Sequence, residues 1–81
     1  MNIAFYLDEM NFRGVSNSTY QFAFNNEKIL KNKSIIFYNK KNYRNQNEVI
    51  VKFKKSFRVY GVTQFKEINK YKKKFNIKFI Y

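Results

Sequence analysis

The sequence lacks several of the residue types on which enzymes and small extracellular domains most often depend. It has no cysteine, no histidine and no proline among its 81 residues. The absence of cysteine excludes disulfides, zinc knuckles and thiol nucleophiles, and the absence of histidine removes the commonest general base and metal ligand. The carboxylates are also few: Asp8, Glu9, Glu27, Glu48 and Glu67. We therefore expect no catalytic residue, no metal site and no cofactor in this chain.

Positive charge is abundant. The formal net charge is +12, from 17 Lys and Arg against 5 Asp and Glu, which predicts a weak attraction to nucleic acid or to an anionic membrane. An alternative is compositional, because Asn, Lys, Ile, Phe and Tyr, all with A/T-rich codons, make up 51 of the 81 residues. In addition, only three of the 17 basic residues are Arg, the type favoured for bidentate phosphate and base contacts.

No segment resembles a targeting signal or a membrane span. The apolar start at residues 1–7 is short and lacks a basic region and a cleavage site. No apolar run approaches the roughly 20 residues of a spanning helix. The expected location is the cytoplasm.

Short apolar segments alternate with amphipathic ones along the whole chain. The apolar segments predict strands at residues 3–7, 34–38, 57–62 and 77–81. The segments with a period near 3.6 predict helices at residues 17–30, 46–56 and 64–74. The inward face of the first helix is expected to hold Tyr20, Ala23, Phe24, Glu27 and Leu30. The aromatic residues expected in the core include Phe22, Phe24, Phe37 and Phe53.

This alternation predicts an α/β fold, because strands joined through helices form a parallel sheet. We expect one Rossmann-like domain over residues 1–81, a βαβαβαβ half with four parallel strands in the order 3-2-1-4 and three helices. The first strand, being the most continuously apolar, is expected at the centre, and the third at an edge. The last five residues form an apolar strand, so we expect a truncated piece of a larger two-domain protein that self-associates through its exposed edge strand.

A ligand of such a sheet is expected beyond the carboxyl ends of the first and fourth strands. The loop at residues 8–18 lies there and holds the four candidate ligand-facing residues, Arg13, Gly14, Ser16 and Asn17. Glycine allows close approach of the backbone, Arg13 offers a charge, and the next helix offers free N–H groups. Alternatively, Gly14 is a turn residue and Ser16 or Asn17 is a helix N-cap. Neither a G-x-G-x-x-G fingerprint nor a P-loop is present.

The N-terminal half resembles a known enzyme family. Met1-Asn2-Ile3-Ala4-Phe5-Tyr6-Leu7, the turn Arg13-Gly14-Val15-Ser16 and the segment Asn32-Lys33-Ser34-Ile35-Ile36-Phe37-Tyr38 are similar to the start of a GT-B type glycosyltransferase of the group-one, family-four kind. Members of that family begin with an apolar strand, a Gly-Gly-apolar turn, a helix and a second apolar strand. Arg13 stands where one glycine of the pair is usual.

The resemblance implies an N-terminal fragment of a glycosyltransferase-like protein. Its nucleotide sugar and acceptor would bind only in a full-length chain, since the donor-binding C-terminal domain of the family is missing, and the fragment alone would be inactive. Two alternatives remain open. One is a small basic module that binds nucleic acid or an anionic membrane. The other is a degenerate product without independent function.

Overall fold

The computed structural model describes residues 1–11 and 14–81. Strands and helices alternate through these residues, as the apolar pattern predicts. The strands are β1 (Asn2–Leu7), β2 (Lys33–Asn39), β3 (Arg58–Val62) and β4 (Ile77–Ile80). The helices are α1 (Gly14–Lys28), α2 (Asn47–Ser56) and α3 (Ile68–Lys74), and a short 3-10 turn, Phe65–Glu67, precedes α3.

The four strands form one parallel sheet in the order β3-β2-β1-β4, which confirms the predicted fold class and order. β1 is central, and it pairs with β2 from Asn2 opposite Lys33 to Leu7 opposite Tyr38. β3 and β4 are the two edges. The pairing of β1 with β4 is irregular between Asn2 and Ile3, so that Ile3 lies opposite Phe79.

Helices cover the two faces of the sheet unequally. α1 and α2 pack on one face, where Ala23 and Phe53 join Phe5 and Ile36 of the sheet in a buried cluster. α3 packs on the other face, where Ile68 joins a second cluster. This division follows from the strand order, because the connections from β1 to β3 run in one direction across the sheet and the connection to β4 runs back.

The first helix differs from its predicted bounds and inward face. It begins at Gly14 and ends at Lys28, whereas residues 17–30 were expected. Ala23 is buried and Tyr20 and Glu27 are half-buried, as predicted. The predicted burial of Leu30, Phe24 and Phe22 is wrong, since all three are exposed.

The reason is geometric. Leu30 lies beyond the helix end, just before Lys31, whose φ of 60° turns the chain away from helical geometry. Phe24 lies on the outer flank of α1 under the Lys28 ammonium group, 5.6 Å from the ring centre. The expected burial of Phe37 and Phe53 is confirmed.

The third helical segment is divided where one helix was predicted. Ile68 is buried and Tyr71 and Phe75 are half-buried, but Phe65 in the 3-10 turn is exposed and meets the Tyr6 ring edge-on. The hydroxyl and the N–H of Thr63 both donate to the Glu67 carboxylate, which fixes this turn. Within the described part of the chain, no helix has the length and apolar character needed to cross a membrane.

Candidate functional site

The predicted ligand loop follows β1, and the structure describes three of its four candidate residues, Gly14, Ser16 and Asn17. Ser16 is buried in the first turn of α1, where its hydroxyl donates to the Glu9 carbonyl at 3.0 Å and accepts from the Asn11 N–H at 3.3 Å. Ser16 therefore holds the loop against the helix. Gly14 is the first residue of α1, and Asn17 is exposed within the same first turn. Arg13 lies outside the described residues.

The alternative N-cap interpretation of Ser16 and Asn17 is wrong, because α1 begins at Gly14 and both residues lie inside its first turn. An N-cap residue has non-helical backbone angles and precedes the first turn. The polar run before Tyr20 concealed this start, since hydrophobic periodicity cannot locate a helix turn made of small polar residues.

The carboxylates beside this loop are already engaged. The Asp8 carboxylate accepts from the side-chain amides of Asn39 and Asn42, at 3.0 and 3.3 Å. Glu9 accepts from Arg44 at 3.4 Å, the one ion pair among residues 1–11 and 14–81. These bonds tie the loop after β1 to the loop after β2 and occupy part of the hydrogen-bonding capacity of both carboxylates.

Shifts in pKa near the carboxyl ends of the strands have local structural causes. The hydrogen bond from Thr63 lowers the pKa of Glu67 below its ordinary value. Burial, assisted by the nearby charge of Asp8, raises the pKa of Tyr6. Hydrogen bonding to Tyr43 and the charge of Glu9 raise the pKa of Arg44. Each shift stabilises the form already expected at neutral pH, so none marks a general acid or base. The described residues also hold no group of three carboxylates that could bind a metal ion.

A second feature lies at the opposite edge of the sheet, where the strands begin and the helices end. Ten exposed basic side chains gather along this amino edge, and we call them the amino-edge basic surface. They are Lys28, Lys31, Lys33, Lys54, Lys55, Arg58, Lys72, Lys73, Lys74 and Lys78. None of the ten belongs to an ion pair within the described part of the chain. The surface is therefore a concentration of uncompensated positive charge.

Two adjoining hollows between the ends of α1 and α2 give this surface a concave part. The larger has a volume of about 420 Å³ and is lined by the cations Lys33, Lys54, Lys55 and Arg58. The smaller, of about 370 Å³, is lined by Lys28, Lys31 and the ring of Phe24. Glu27 borders both hollows, and its carboxylate accepts the Ser34 N–H at 2.8 Å.

Charge is distributed unevenly between the two edges. Glu27 is the only carboxylate at the amino edge, while Asp8, Glu9, Glu48 and Glu67 lie at the carboxyl edge, at strand ends or in first helical turns. In the sequence, Lys72–Lys74 have the pattern of a solvated helix end, and nothing in the sequence alone places them beside the other lysines. The signal that would have found the surface was the topology, since a parallel sheet brings every strand start and every helix end to one edge.

Comparison with known proteins assigns this chain to no family. The chain matches no protein-family model, no curated protein and no solved structure.

Proposed function

We propose that this protein binds single-stranded nucleic acid through its amino-edge basic surface, largely without regard to base sequence, in the cytoplasm. The observation that supports this most is the gathering of ten cations on one edge, none of which belongs to an ion pair with another described residue. Six of the ten line two adjoining hollows. A positive, concave surface attracts the phosphate backbone and releases its condensed counterions.

Interaction with the helix dipoles accounts for only some of the ten cations of this surface. Lys28, Lys54 and Lys55 lie in last helical turns, as do Lys72–Lys74, where a positive charge offsets the negative end of the dipole. The other four cations, Lys31, Lys33, Arg58 and Lys78, lie on strands or in a loop, outside the last turn of any helix. Four additional like charges add repulsion to the folded chain, which favours a role in binding.

The residue types favour phosphate contacts over base reading. Nine of the ten cations are lysines, which act as point charges, and Arg58 is the only guanidinium able to make a bidentate contact. Phosphate contacts of this kind orient a strand but carry little sequence information.

The ring of Phe24 favours a single strand over a duplex. It is 40% exposed and borders the smaller hollow beside Lys28 and Lys31. An exposed aromatic face within a cationic groove can stack with an unpaired base, and such stacking contributes about 1–3 kcal/mol per base.

Fluorescence anisotropy of labelled single strands and duplexes, measured across a salt series, tests the proposal. If six cations contact phosphates, the logarithm of the association constant should fall with the logarithm of salt concentration with a slope of roughly −4 for single strands. Replacing Lys33, Lys54 and Arg58 with Gln should reduce this slope by about 2, because three contacts are lost.

The matched control replaces Lys40, Lys41 and Lys66 with Gln at the carboxyl edge, which removes the same three charges from exposed positions. This control should retain most of the affinity. Equal losses in the two triple variants would show that only the overall charge matters, and a salt slope near zero would contradict the proposal.

A glycosyltransferase-like role in a longer chain is the second candidate. The parallel sheet in the order 3-2-1-4, with a loop and a helix N-terminus after its first strand, is compatible with it. The fold alone supports many functions. Saturation-transfer NMR with nucleotide sugars tests this candidate: transfer to the ligand that is lost on replacing Asn17 with Ala would support it, and the absence of transfer would count against it.

A further inference from the structure

An apolar groove lies on the face of the sheet that carries α1, between that helix and the edge strand β4. Its volume is about 650 Å³, and none of its lining side chains is charged at neutral pH. Ile3 and Phe5 of β1 form the floor, and Ile29 and Leu30 line the side formed by α1 and the residues after it. Tyr81 stacks on Phe5 with 5.7 Å between ring centres. We call this feature the α1–β4 groove.

Exposed apolar side chains concentrate around the groove. Five of the ten large apolar side chains exposed in the described residues lie in or beside it, each between 55% and 70% exposed. Phe22, Ile29, Leu30 and Tyr81 line the groove, and Phe79 lies next to Tyr81 with 6.5 Å between ring centres. If each offers roughly 100–150 Å² to a partner, the five expose on the order of 600 Å² per copy. A patch of this size on a single chain usually marks an interaction site.

The outer edge of β4 borders the same groove. Tyr81 exchanges two backbone hydrogen bonds with β1, its N–H with the Ala4 carbonyl and its carbonyl with the Tyr6 N–H. Since alternate residues of a strand face opposite neighbours, the N–H and carbonyl of Ile80 point away from β1. β4 is an edge of the sheet, so these groups are available to a further strand.

We propose that a second copy of this chain covers the groove, by antiparallel pairing of the two β4 strands about a two-fold axis. Such an axis is perpendicular to the sheet and keeps the same face of both copies on the same side. The two grooves then lie next to each other, and the exposed side chains of each copy meet those of the other. Together they bury roughly 1,200 Å², which reaches the lower bound for a stable specific interface.

The charge distribution favours this antiparallel arrangement. Each copy carries +12, and ten of its cations lie at the amino edge. Antiparallel β4 strands place the two amino edges at opposite ends of the dimer, whereas a parallel arrangement would place them side by side. The pairing therefore separates the two basic surfaces, and of their cations only Lys78 lies on the pairing strand itself.

Sedimentation equilibrium of the 81-residue chain, from low micromolar to millimolar concentration, tests the proposal. We expect a monomer–dimer equilibrium. Replacing Leu30 with Glu places a charge on each side of the interface and should raise the dissociation constant by at least about 30-fold, the effect of losing an interface hot spot. Leu30 is 66% exposed in the single chain, so its replacement should leave the fold intact.

A second variant examines the strand pairing itself. Replacing Ile80 with Pro removes an outward N–H and should also favour the monomer, since proline is tolerated in edge strands but cannot donate. Replacing the exposed Val51 of α2 with Glu is the control and should leave the dimer unchanged. The proposal fails if the wild-type chain remains a monomer. It also fails if both the Leu30 and the Ile80 variants remain dimeric while circular dichroism shows that they keep the native structure.

Discussion

Ser34 is a polar residue that joins the first helix to the sheet from a buried position at the start of β2. Its hydroxyl donates to the Ala23 carbonyl at 2.9 Å and accepts from the side-chain amide of Asn26 at 2.9 Å. Its N–H donates to the Glu27 carboxylate. The sequence predicted Ser34 as the first residue of a strand, but helical periodicity could not reveal its partners, because they lie seven to eleven residues away across a turn.

Replacing Ser34 with Ala should destabilise the chain by about 1–3 kcal/mol, because the buried Asn26 amide loses an acceptor that water cannot easily replace. Urea unfolding followed by circular dichroism measures the change in the free energy of unfolding. Ser18 on the exposed side of α1 is the matched control, and its replacement with Ala should change stability by less than about 0.5 kcal/mol. Equal effects at the two positions would show that the buried bonds contribute little.

At the scale of elements, the strands were more predictable than the helices. Each strand is a short apolar run, and the connections between them leave few possible orders, so the sheet could be derived from the sequence. α1 was less predictable because its contact with the sheet is narrow. The buried residues in its described part are Ser16, Ala23 and Asn26, and only one of them is apolar. Its bulky residues Phe22 and Phe24 are exposed and gave a misleading hydrophobic period.

The small side chain of Ala23 allows α1 to lie close to the sheet. The residue is fully buried, and the Ser34 hydroxyl reaches its carbonyl. Replacing Ala23 with Leu should push the helix outward and cost about 1–3 kcal/mol of stability, although leucine is a good helix former. Replacing the exposed Gln21 with Leu is the control and should be nearly neutral. The urea concentration at the midpoint of unfolding measures the stability of both variants. An unchanged midpoint for the Ala23 variant would mean that the contact between α1 and the sheet has room for a larger side chain.

For the whole molecule, the sequence gives the amount of charge but not its arrangement. The value of +12 follows from counting residues, whereas the amino-edge basic surface exists only because the parallel topology brings Lys28, Lys54 and Lys74 together with the strand starts Lys33 and Arg58. The predicted ligand loop shows a related limit of prediction from the sequence. Its position at the carboxyl edge follows from topology, but the internal bonds of its polar groups depend on contacts between loops that are distant in sequence.

A surface assembled for binding should destabilise the unbound chain, and this gives a test that does not depend on any ligand. At low salt, replacing Lys33, Lys54 and Arg58 with Gln should raise the melting temperature, since each removed charge relieves repulsion from its neighbours. A gain of about 1 kcal/mol would correspond to roughly 4–8 °C in a domain of this size.

The carboxyl-edge control, with Gln at Lys40, Lys41 and Lys66, should gain less, because four of the five carboxylates lie at that edge and attract those lysines. Differential scanning calorimetry at matched protein concentrations measures both variants. The difference between them should vanish near 1 M salt, where the screening length falls to about 3 Å. The opposite outcome is that the two triple variants show the same melting temperature at low salt. In that case the ten cations do not repel one another more strongly than the carboxyl-edge lysines do, and the basic surface would be a consequence of composition alone.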